Sequence, residues 1–488
     1  MSSENFHFIK SITALSARTT TFYDKIFIAI FLVGEFYFLI HSFGYMLTFF
    51  RNTDKRYTFD SAVLLKKYPP VAIVVAARHE PKSILEKTFS TLKALDYENK
   101  KIYLLDDSSD ESFQKEADLL EKEFKLKIYR RAKRHGAKAG IINDFLNIAK
   151  EKYIAIFDAD QNPVPTFLKK LIPILEKNDN LAFIQTPQFY TNINTSPVAL
   201  GSTIQQAIFY ENICEAKSSR NSMFCCGTNV IFRKDALLDV GGFDEKSITE
   251  DFATSIKFHM KKYESLYYNK VAAFGMAPEN LIAYFKQQAR WSAGTIDVFR
   301  KIIINFFKNP FQLKFIQWWE YFLSGSYYFL GWAFLFMILG PITFLTFGIP
   351  SVFGMPEIYL YPFVIYFVMS LYLFYTSMKE RSYSINELYH GIILSFLNFP
   401  ILLKSTISGL VGKRMTFVVT TKGKVENMPI ITLWPYIILI VLNLIAIVSG
   451  IARIKNNLIG IGVNTFWACW HTFILCNIFY FNKKQKII

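Results

Sequence analysis

Two pairs of acidic residues in the first third of the chain have the chemistry to bind a metal ion and a phosphorylated substrate. Asp158 and Asp160 flank one alanine and follow the apolar run 153–157, while Asp106 and Asp107 follow the apolar run 101–105. Mg²⁺ and Mn²⁺ prefer oxygen ligands, so Asp158 and Asp160 are candidates to hold either ion against a diphosphate. Asp106 and Asp107 are candidates to contact one edge of a nucleotide. A solvated turn for the first pair and a helix N-cap for the second are the alternative interpretations.

A single lysine is a further candidate for phosphate binding. Lys138 lies in the segment HGAKAG, residues 135–140. The small residues around it allow both the backbone and the ammonium group to approach a phosphate closely. An ordinary surface lysine is the alternative.

The elements that must position these residues are predicted from the same apolar runs. Residues 71–77, 101–105 and 153–157 are continuous apolar runs separated by helical patterns. Such runs are typical of buried parallel strands. In an open parallel sheet, ligands bind at the carboxyl ends of the strands, which is where both acidic pairs lie. The sequence therefore predicts an α/β domain over residues 68–280 with its site at that edge.

The composition places this domain in a membrane protein. Of the 488 residues, 52% are hydrophobic, 17% are aromatic and 19% are charged, which excludes the disordered, fibrous and disulfide-rich classes. Five apolar segments are long enough to cross about 30 Å of hydrocarbon as helices. These predicted spans cover residues 26–50, 323–349, 358–378, 429–451 and 458–482.

Three other segments are predicted to lie outside the hydrocarbon layer. Residues 1–25 form an N-terminal tail, and residues 281–322 form interfacial helices. The apolar stretch 391–403 is too short to span, so it predicts an interfacial helix within the segment 384–428.

The basic residues predict the orientation of the chain in the membrane. The formal charge is +16, but no Arg-rich tail or nucleic-acid motif accompanies it, so no nucleic-acid partner is expected. Lys and Arg are instead frequent in residues 51–67, 379–428 and 483–486, as the positive-inside rule predicts for cytosolic segments. Five spans then place the N-terminus outside the cell membrane, and the α/β domain and the C-terminus in the cytosol. The five cysteines have no paired spacing, which argues against a zinc site or a disulfide framework.

Four motifs follow one another in an order that points to a family. They are Asp107, Asp158-Ala159-Asp160, Thr249-Glu250-Asp251 and Gln287-Gln288-Ala289-Arg290-Trp291. Together they resemble the D, DxD, TED and QxxRW signature of processive family 2 glycosyltransferases, which include cellulose, chitin and hyaluronan synthases. Residues 417–422, FVVTTK, resemble the FxVTxK gating loop of bacterial cellulose synthases. The resemblance covers about residues 68–482.

The resemblance implies a fold and a role for each matched residue. The fold would be a GT-A-type cytosolic domain joined to transmembrane helices. Asp251 would be the general base within the motif that also contains Glu250 and Thr249, and Asp158 and Asp160 would hold Mg²⁺ or Mn²⁺. The UDP-sugar donor would be bound by Asp107, Asp106, Lys138, Asp158, Gln287, Arg290, Thr420 and Lys422. The growing chain would contact Trp291, Cys226 and Gly227.

Structural alternatives stay open for three of these assignments. Asp251 is also placed to be a helix N-cap, and Trp291 to be an interfacial anchor. The segment 417–422 is also compatible with a basic loop at the membrane surface.

The resemblance implies an enzyme that polymerises glucose from UDP-glucose into a β-glucan and translocates it across the lipid bilayer. Three other functions are the alternatives: synthesis of another polysaccharide, containing N-acetylglucosamine or mannose; nonprocessive transfer of one sugar to a polyprenyl phosphate; and transport or reception through an inactive sugar-binding domain. The chain departs from its relatives in having one N-terminal span and in ending its first strand with Ala77-Arg78-His79-Glu80 in place of a Tyr-Asn-Glu type ending. Only seven residues follow Phe481, so no cyclic-di-GMP-binding domain is expected there.

Overall fold

The computed structural model describes residues 21–49, 65–349, 382–412, 427–453 and 458–483, together with single positions between 364 and 378. The predicted span 358–378 lies mostly outside the described residues, and the predicted gating loop 417–422 lies wholly outside them. The described chain consists of a mixed α/β domain and a set of long apolar helices.

Ten strands and sixteen α-helices make up the described chain. The strands are β1 Val71–Ala77, β2 Lys100–Asp106, β3 Lys127–Tyr129, β4 Tyr153–Phe157, β5 Asn162–Pro163, β6 Leu181–Gln185, β7 Phe189–Tyr190, β8 Val230–Arg233, β9 Glu264–Tyr267 and β10 Ala273–Gly275. The helices are α1 Phe22–Phe49, α2 Lys82–Lys93, α3 Glu111–Phe124, α4 Ala137–Leu146, α5 Phe167–Lys177, α6 Pro197–Ile208, α7 Glu215–Ser219, α8 Lys234–Asp239, α9 Glu250–Met260, α10 Leu281–Lys308, α11 Phe315–Ser326, α12 Leu330–Phe347, α13 Ile385–Leu397, α14 Phe399–Leu410, α15 Trp434–Ala452 and α16 Leu458–Phe481. A π-helical turn, Phe209–Cys214, joins α6 to α7.

The main sheet has seven strands in the order β3-β2-β1-β4-β8-β6-β9, and β5, β10 and β7 form a second small sheet. The four strands β3, β2, β1 and β4 are mutually parallel, whereas β8 runs antiparallel to both β4 and β6. The three predicted strands are confirmed as β1, β2 and β4. Their carboxyl ends therefore lie side by side at one edge of the sheet, as the apolar runs predicted.

Both faces of the main sheet are covered by helices, which explains why the central strands are continuously apolar. Val71, Ile73 and Val75 of β1 belong to one buried core, together with residues of α2, α3 and α5. Ala72 and Val74 belong to a second core, together with residues of α4, α8 and α9. Side chains alternate across a strand, so a strand buried on both faces has no polar position.

Four helical segments of the described chain are long and apolar enough to cross a membrane. They are Phe22–Tyr45, Phe315–Phe347, Ile430–Ala452 and Ile459–Phe481. They correspond to four of the five predicted spans, although the second begins at Phe315 rather than at residue 323. A fifth candidate is the pair α13 and α14, which is bent by 48° and is either a broken span or a re-entrant element.

The bent pair packs directly on helices of the α/β domain and of the site. Gln205 on α6 donates hydrogen bonds from its Nε2 to Ser395 Oγ at 2.8 Å and to Gly391 O at 3.3 Å. On α14, a Cβ added to Gly409 would lie 2.6 Å from the carbonyl oxygen of Ala293 on α10, so the two helices are in close contact. The helical region is longer than the predicted stretch 391–403 and has a break at Asn398. Its placement at the membrane interface remains a prediction.

A buried ionic cluster joins the α/β domain to two of the apolar helices. Lys217 and Arg220 lie in and just after α7, and both pair with Glu320 of α11, with 2.8 Å between Lys217 Nζ and Glu320 Oε2. Arg220 also donates a 2.9 Å hydrogen bond from Nη2 to the carbonyl oxygen of Leu47 near the end of α1. All three charged side chains are at most 7% exposed. Removing one partner would leave an uncompensated buried charge, so this cluster holds α1 and α11 in place against the domain.

Candidate active site

A cavity of about 270 Å³ opens at the carboxyl edge of β1, β2 and β4. It is lined by twelve of the predicted site residues: Asp107, Lys138, Asp158, Asp160, Cys226, Gly227, Thr249, Glu250, Asp251, Gln287, Arg290 and Trp291. Asp106 does not line it, and Thr420 and Lys422 lie outside the described residues. The structure therefore brings together segments that are up to 184 positions apart in the chain, from Asp107 to Trp291.

The two acidic residues at the end of β2 have different surroundings. The Asp106 carboxylate is buried and accepts hydrogen bonds from Arg130 Nε at 2.7 Å and from the Ser108 backbone N–H at 3.0 Å. The Asp107 carboxylate lines the cavity and accepts two hydrogen bonds from Arg131 and one from Arg134, all at 2.9 Å. Asp106 thus stabilises the strand end, while Asp107 presents a carboxylate that is held rigidly by two guanidinium groups. Donor binding by Asp106 stays a prediction, without support from its position.

At the end of β4, the backbone around the DxD motif is held by a neighbouring loop. The backbone N–H of Asp158 donates to Thr228 Oγ1 at 2.8 Å. The Lys138 ammonium contacts the Asp158 carboxylate and donates to the carbonyl oxygen of Gly227 at 2.8 Å. Burial lowers the pKa of Lys138, but the charges of Asp158 and Glu250 outweigh it and raise that pKa overall. Lys138 is therefore a fixed positive charge in the cavity.

Lys138 is brought there by the glycine that precedes α4. Gly136 has φ +56°, in the left-handed region, and a Cβ at this position would lie 2.5 Å from the Glu245 carboxylate. A larger residue would be strained at this φ and would have to move the Glu245 side chain aside. Close approach of a phosphate to Lys138, which the sequence predicted from these small residues, stays a prediction.

The donor set of the cavity fits a divalent cation. The lining contains seven Asp and Glu carboxylates and four Lys and Arg side chains, a formal charge of −3. Asp158 and Asp160 would supply two oxygen ligands, and no group of three or more His, Cys, Asp or Glu side chains arranged as a metal site occurs among the described residues. An ion held here would complete its coordination with a diphosphate and water, which is the manner in which Mg²⁺ binds in phosphate sites. Without such an ion, the acidic lining would repel an anionic substrate.

The Thr249-Glu250-Asp251 motif begins α9, with Thr249 at the N-cap position. Asp251 is thus the second residue of the helix and not its N-cap, so the alternative interpretation of Asp251 as a capping residue is excluded. Its Oδ1 accepts a 2.8 Å hydrogen bond from the backbone N–H of Phe252. Burial, together with the nearby charge of Glu250, raises the pKa of Asp251 to about 7, despite the opposing effects of Lys138 and Arg290. Burial also raises the pKa of Glu250. A carboxylate with a pKa near neutrality is suited to accept a proton during catalysis.

The loop after Phe224 borders the Asp251 carboxylate. Gly227 has φ +80°, and a Cβ added there would lie 2.9 Å from Asp251 Oδ2. The loop is held by Gln185, whose Oε1 accepts a 2.8 Å hydrogen bond from the Cys226 backbone N–H. Cys226 and Gly227 therefore form the wall of the cavity beside the candidate base.

The last motif occupies one face of the long helix α10. Gln287, Arg290 and Trp291 are three and four positions apart, so they project from the same side of the helix. All three line the cavity. The helix begins at Leu281 with Asn280 as N-cap, whose Oδ1 accepts a 2.9 Å hydrogen bond from the Ala283 backbone N–H.

The cavity also contains residues that the sequence reasoning did not assign to it. They include Arg78, Glu80, Arg134, Tyr190 and Glu279. Arg78 and Glu80 follow the carboxyl end of β1, and Arg134 lies in the basic segment 130–134, so position and charge were the signals that could have identified them.

Two family models match the chain and together cover the cavity and the apolar helices. Residues 69–294 match the family described as "Glycosyltransferase like family 2", and residues 239–485 match the family described as "Cellulose synthase". The second match covers half of the chain. The chain belongs to the cellulose synthase family. It is a family 2 glycosyltransferase by descent, related to cellulose synthase catalytic subunits.

Curated relatives in this family are distant in sequence. A UDP-forming cellulose synthase catalytic subunit from Pseudomonas fluorescens (strain SBW25) is 26% identical over 84% of this chain and 56% of its own length. A UDP-forming cellulose synthase catalytic subunit from Dictyostelium discoideum is 32% identical over 46% of this chain and 23% of its own length. The chain thus spans about half, or less, of the length of these cellulose synthase relatives.

A solved structure supports the fold. A mannosyltransferase from Pyrobaculum calidifontis, in complex with GDP-Man and Mn²⁺, aligns with a TM-score of 0.54 at 17% identity, covering 80% of this chain and 100% of that one. The likeness shows a GT-A-like mixed α/β domain, which confirms the fold class predicted for this member of the cellulose synthase family.

Proposed function

We propose that this chain is a membrane-embedded, processive, inverting glycosyltransferase that polymerises glucose from UDP-glucose into a β-glucan and translocates the polymer. One observation carries the proposal. The carboxylates of Asp107, Asp158, Asp160 and Asp251 line the same cavity as the Gln287, Arg290 and Trp291 face of α10. Membership of the cellulose synthase family and the UDP-forming activity in the names of two relatives support the choice of donor and product.

The proposed reaction is a single in-line displacement at the anomeric carbon. Asp251 accepts the proton of the acceptor hydroxyl as that oxygen attacks, which inverts the configuration of the α-linked donor. The pKa of Asp251, raised to about 7, allows it to be both ionised at neutral pH and basic enough to take this proton. The cavity positions base, donor and acceptor together, and this orientation removes much of the entropic barrier.

The leaving diphosphate is stabilised by fixed positive charges. Lys138 contributes an ammonium group held between Asp158 and the Gly227 carbonyl, and Arg290 contributes a guanidinium group from α10. Asp158 and Asp160 would hold the divalent cation, which supplies charge compensation for the diphosphate when it is bound. Gln287 orients the donor, and Asp107 contacts its nucleotide portion.

The acceptor side of the proposed mechanism is built from Trp291 and the loop containing Cys226 and Gly227. Trp291 is half-buried, so part of its ring surface is available to the terminal sugar of the growing chain. The apolar face of an aromatic ring packs well on a sugar ring. Such a contact would hold the end of the polymer between additions, which a processive enzyme requires. Thr420 and Lys422 of the FxVTxK segment are proposed to contact the diphosphate when the donor is bound.

The candidate spans place this site at a membrane. We place the catalytic domain and the C-terminus on the cytosolic side of the cell membrane, because Lys and Arg are concentrated in the loops on that side of the five-span topology. This arrangement treats α13 and α14 as interfacial. Their packing against α6 and α10 supports it, since both of those helices belong to the catalytic half of the chain.

The proposal is tested with the purified chain in lipid nanodiscs. UDP-glucose, UDP-N-acetylglucosamine and GDP-mannose are supplied one at a time with Mg²⁺ or Mn²⁺, and both nucleotide release and product size are measured. We expect UDP release from UDP-glucose together with a long polymer that linkage-specific β-glucanases degrade. The Asp251→Asn variant is the matched control. A product consisting of one sugar on an extractable lipid, or polymer formed only from another donor, would contradict the proposal.

A further inference from the structure

Arg78 occupies the centre of the row of strand ends that forms the cavity. It follows β1, which lies between β2 and β4 in the sheet. The residue before it, Ala77, pairs with Asp106, and Val75 pairs with Phe157, so Arg78 lies between the Asp107 and Asp158 strand ends. Its side chain lines the cavity.

One nitrogen of the Arg78 guanidinium has no hydrogen-bond partner among the described residues. This atom, Nε, is buried, and the residue as a whole is half-buried at the cavity wall. Two other cations of the cavity lining differ: Lys138 is paired with Asp158, and Arg134 with Asp107. The Asp107 carboxylate is already occupied by Arg131 and Arg134, so it is not free to compensate Arg78.

The backbone next to Arg78 is held in an unfavourable conformation. His79 has φ +54°, which non-glycine residues seldom adopt. Its backbone N–H donates to Ser108 Oγ at 3.1 Å, and its ring Nε2 accepts a hydrogen bond from the Ser109 backbone N–H at 3.0 Å. Strain of this kind persists only where the surrounding contacts enforce it. These contacts tie the end of β1 to the loop after β2 and so determine where Arg78 leaves the strand.

We infer that Arg78 binds the diphosphate of the nucleotide-sugar donor and thereby sets the affinity for the donor. The inference rests on the proposed function and adds a residue to it. A buried donor without a partner destabilises the protein, and an anionic ligand in the cavity would supply Arg78 Nε with that partner. The planar guanidinium matches the geometry of phosphate oxygens. Arg78 would thus add a third cation to Lys138 and Arg290 at the diphosphate.

The test measures the dissociation constants of UDP and of uridine for the wild type and for variants of Arg78. The full-length protein is used in nanodiscs with Mg²⁺, and uridine is measured by competition with UDP. We expect Arg78→Gln to weaken UDP binding about 10- to 100-fold, the effect of losing one charged hydrogen-bonding partner, and to leave uridine binding unchanged. Arg78→Lys should lie between wild type and Arg78→Gln, because it keeps the charge without the planar fork. Lys133→Gln is the control: it removes one charge from an exposed residue nearby that does not line the cavity, and it should leave both constants unchanged.

Kinetics separate affinity from chemistry. In Arg78→Gln the KM for UDP-glucose should rise by the same factor as the dissociation constant of UDP, while kcat changes by less than about threefold. Unchanged UDP binding in Arg78→Gln, or an equal loss of uridine binding, would overturn the inference. If Arg78→Gln unfolds at a lower temperature than wild type, Arg78→Lys takes its place and the same comparison of UDP and uridine binding decides. A wild-type protein that neither binds UDP nor forms polymer would overturn the proposed function itself, and it is recognised before any variant is measured.

Discussion

Replacing Asp251 by asparagine removes the proposed proton acceptor with little change in shape. The side-chain oxygen of asparagine can still accept the hydrogen bond that Asp251 Oδ1 receives from the Phe252 backbone N–H at 2.8 Å. The start of α9 and the wall formed by Gly227 should therefore be preserved, and donor binding should be nearly unaffected. What is lost is the ability to take the proton of the acceptor hydroxyl.

The expected size of the effect follows from the role and from the pKa. Loss of a general base reduces the rate about 10²- to 10⁴-fold, which corresponds to about 3–5 kcal/mol in the activation free energy. In the wild type, a base with a pKa of about 7 is ionised in about a tenth of molecules at pH 6 and in about nine tenths at pH 8. Because the ionised form is the active one, kcat/KM should rise about tenfold from pH 6 to pH 8 and fall as the pH is lowered.

The assay follows polymer formation and UDP release at saturating Mg²⁺ across this pH range. Glu250→Gln serves as a second variant: since the charge of Glu250 raises the pKa of Asp251, its removal should shift the acid limb of the profile to lower pH. Thermal unfolding and UDP binding report whether the variants keep their structure. Retention of more than about a tenth of wild-type turnover in Asp251→Asn, or a wild-type rate that does not depend on pH between 6 and 8, would refute Asp251 as the base.

Three further outcomes are expected. Gly227→Ala should lower turnover about 100-fold, because Gly227 has a φ of +80° and the new Cβ would lie 2.9 Å from Asp251 Oδ2. Thermal unfolding is measured alongside, and turnover within threefold of wild type would contradict a role for this close contact. Trp291→Ala should lower the length and yield of the polymer at least about tenfold while UDP-glucose hydrolysis continues, whereas Trp291→Phe should still form polymer. Polymer is measured by size-exclusion chromatography, and equal amounts and lengths from both variants would argue against an aromatic platform. Chelation by EDTA should abolish UDP release, with recovery on adding Mn²⁺ or Mg²⁺, and Asp160→Asn should raise the metal concentration needed for half-maximal rate; activity that survives chelation would exclude a required divalent ion.

The elements that hold the site were predictable because their signals are local. The strands β1 and β4 are buried along nearly their whole length and β2 is buried towards its carboxyl end, so their sequences are mostly apolar. The common face of Gln287, Arg290 and Trp291 follows from the helical spacing alone. Four long apolar helices were likewise visible as runs of sufficient length.

Other features depended on contacts between distant segments. Asp106 and Asp107 are adjacent in sequence, but successive side chains at a strand end point to opposite faces. The Asp106 carboxylate is therefore buried against Arg130, while the Asp107 carboxylate lines the cavity. The extent and bend of α13 and α14 were not predicted: the pair is apolar, but its bend at Asn398 accompanies contacts with α6 and α10 that are distant in sequence. Thr420 and Lys422 lie outside the described residues, and their roles stay predictions.

The amino-acid sequence alone determined the types and order of the chemical groups, the buried strands that end in carboxylates, and the apolar helices that are candidate membrane spans. Each of these depends on residues within one or two turns of helix or one strand. Only the tertiary structure decided which groups share a cavity, that Arg78 Nε has no hydrogen-bond partner among the described residues, and that the pKa of Asp251 is raised to about 7. Desolvation and charge–charge interaction act through space, so they are set by neighbours that the linear chain does not reveal.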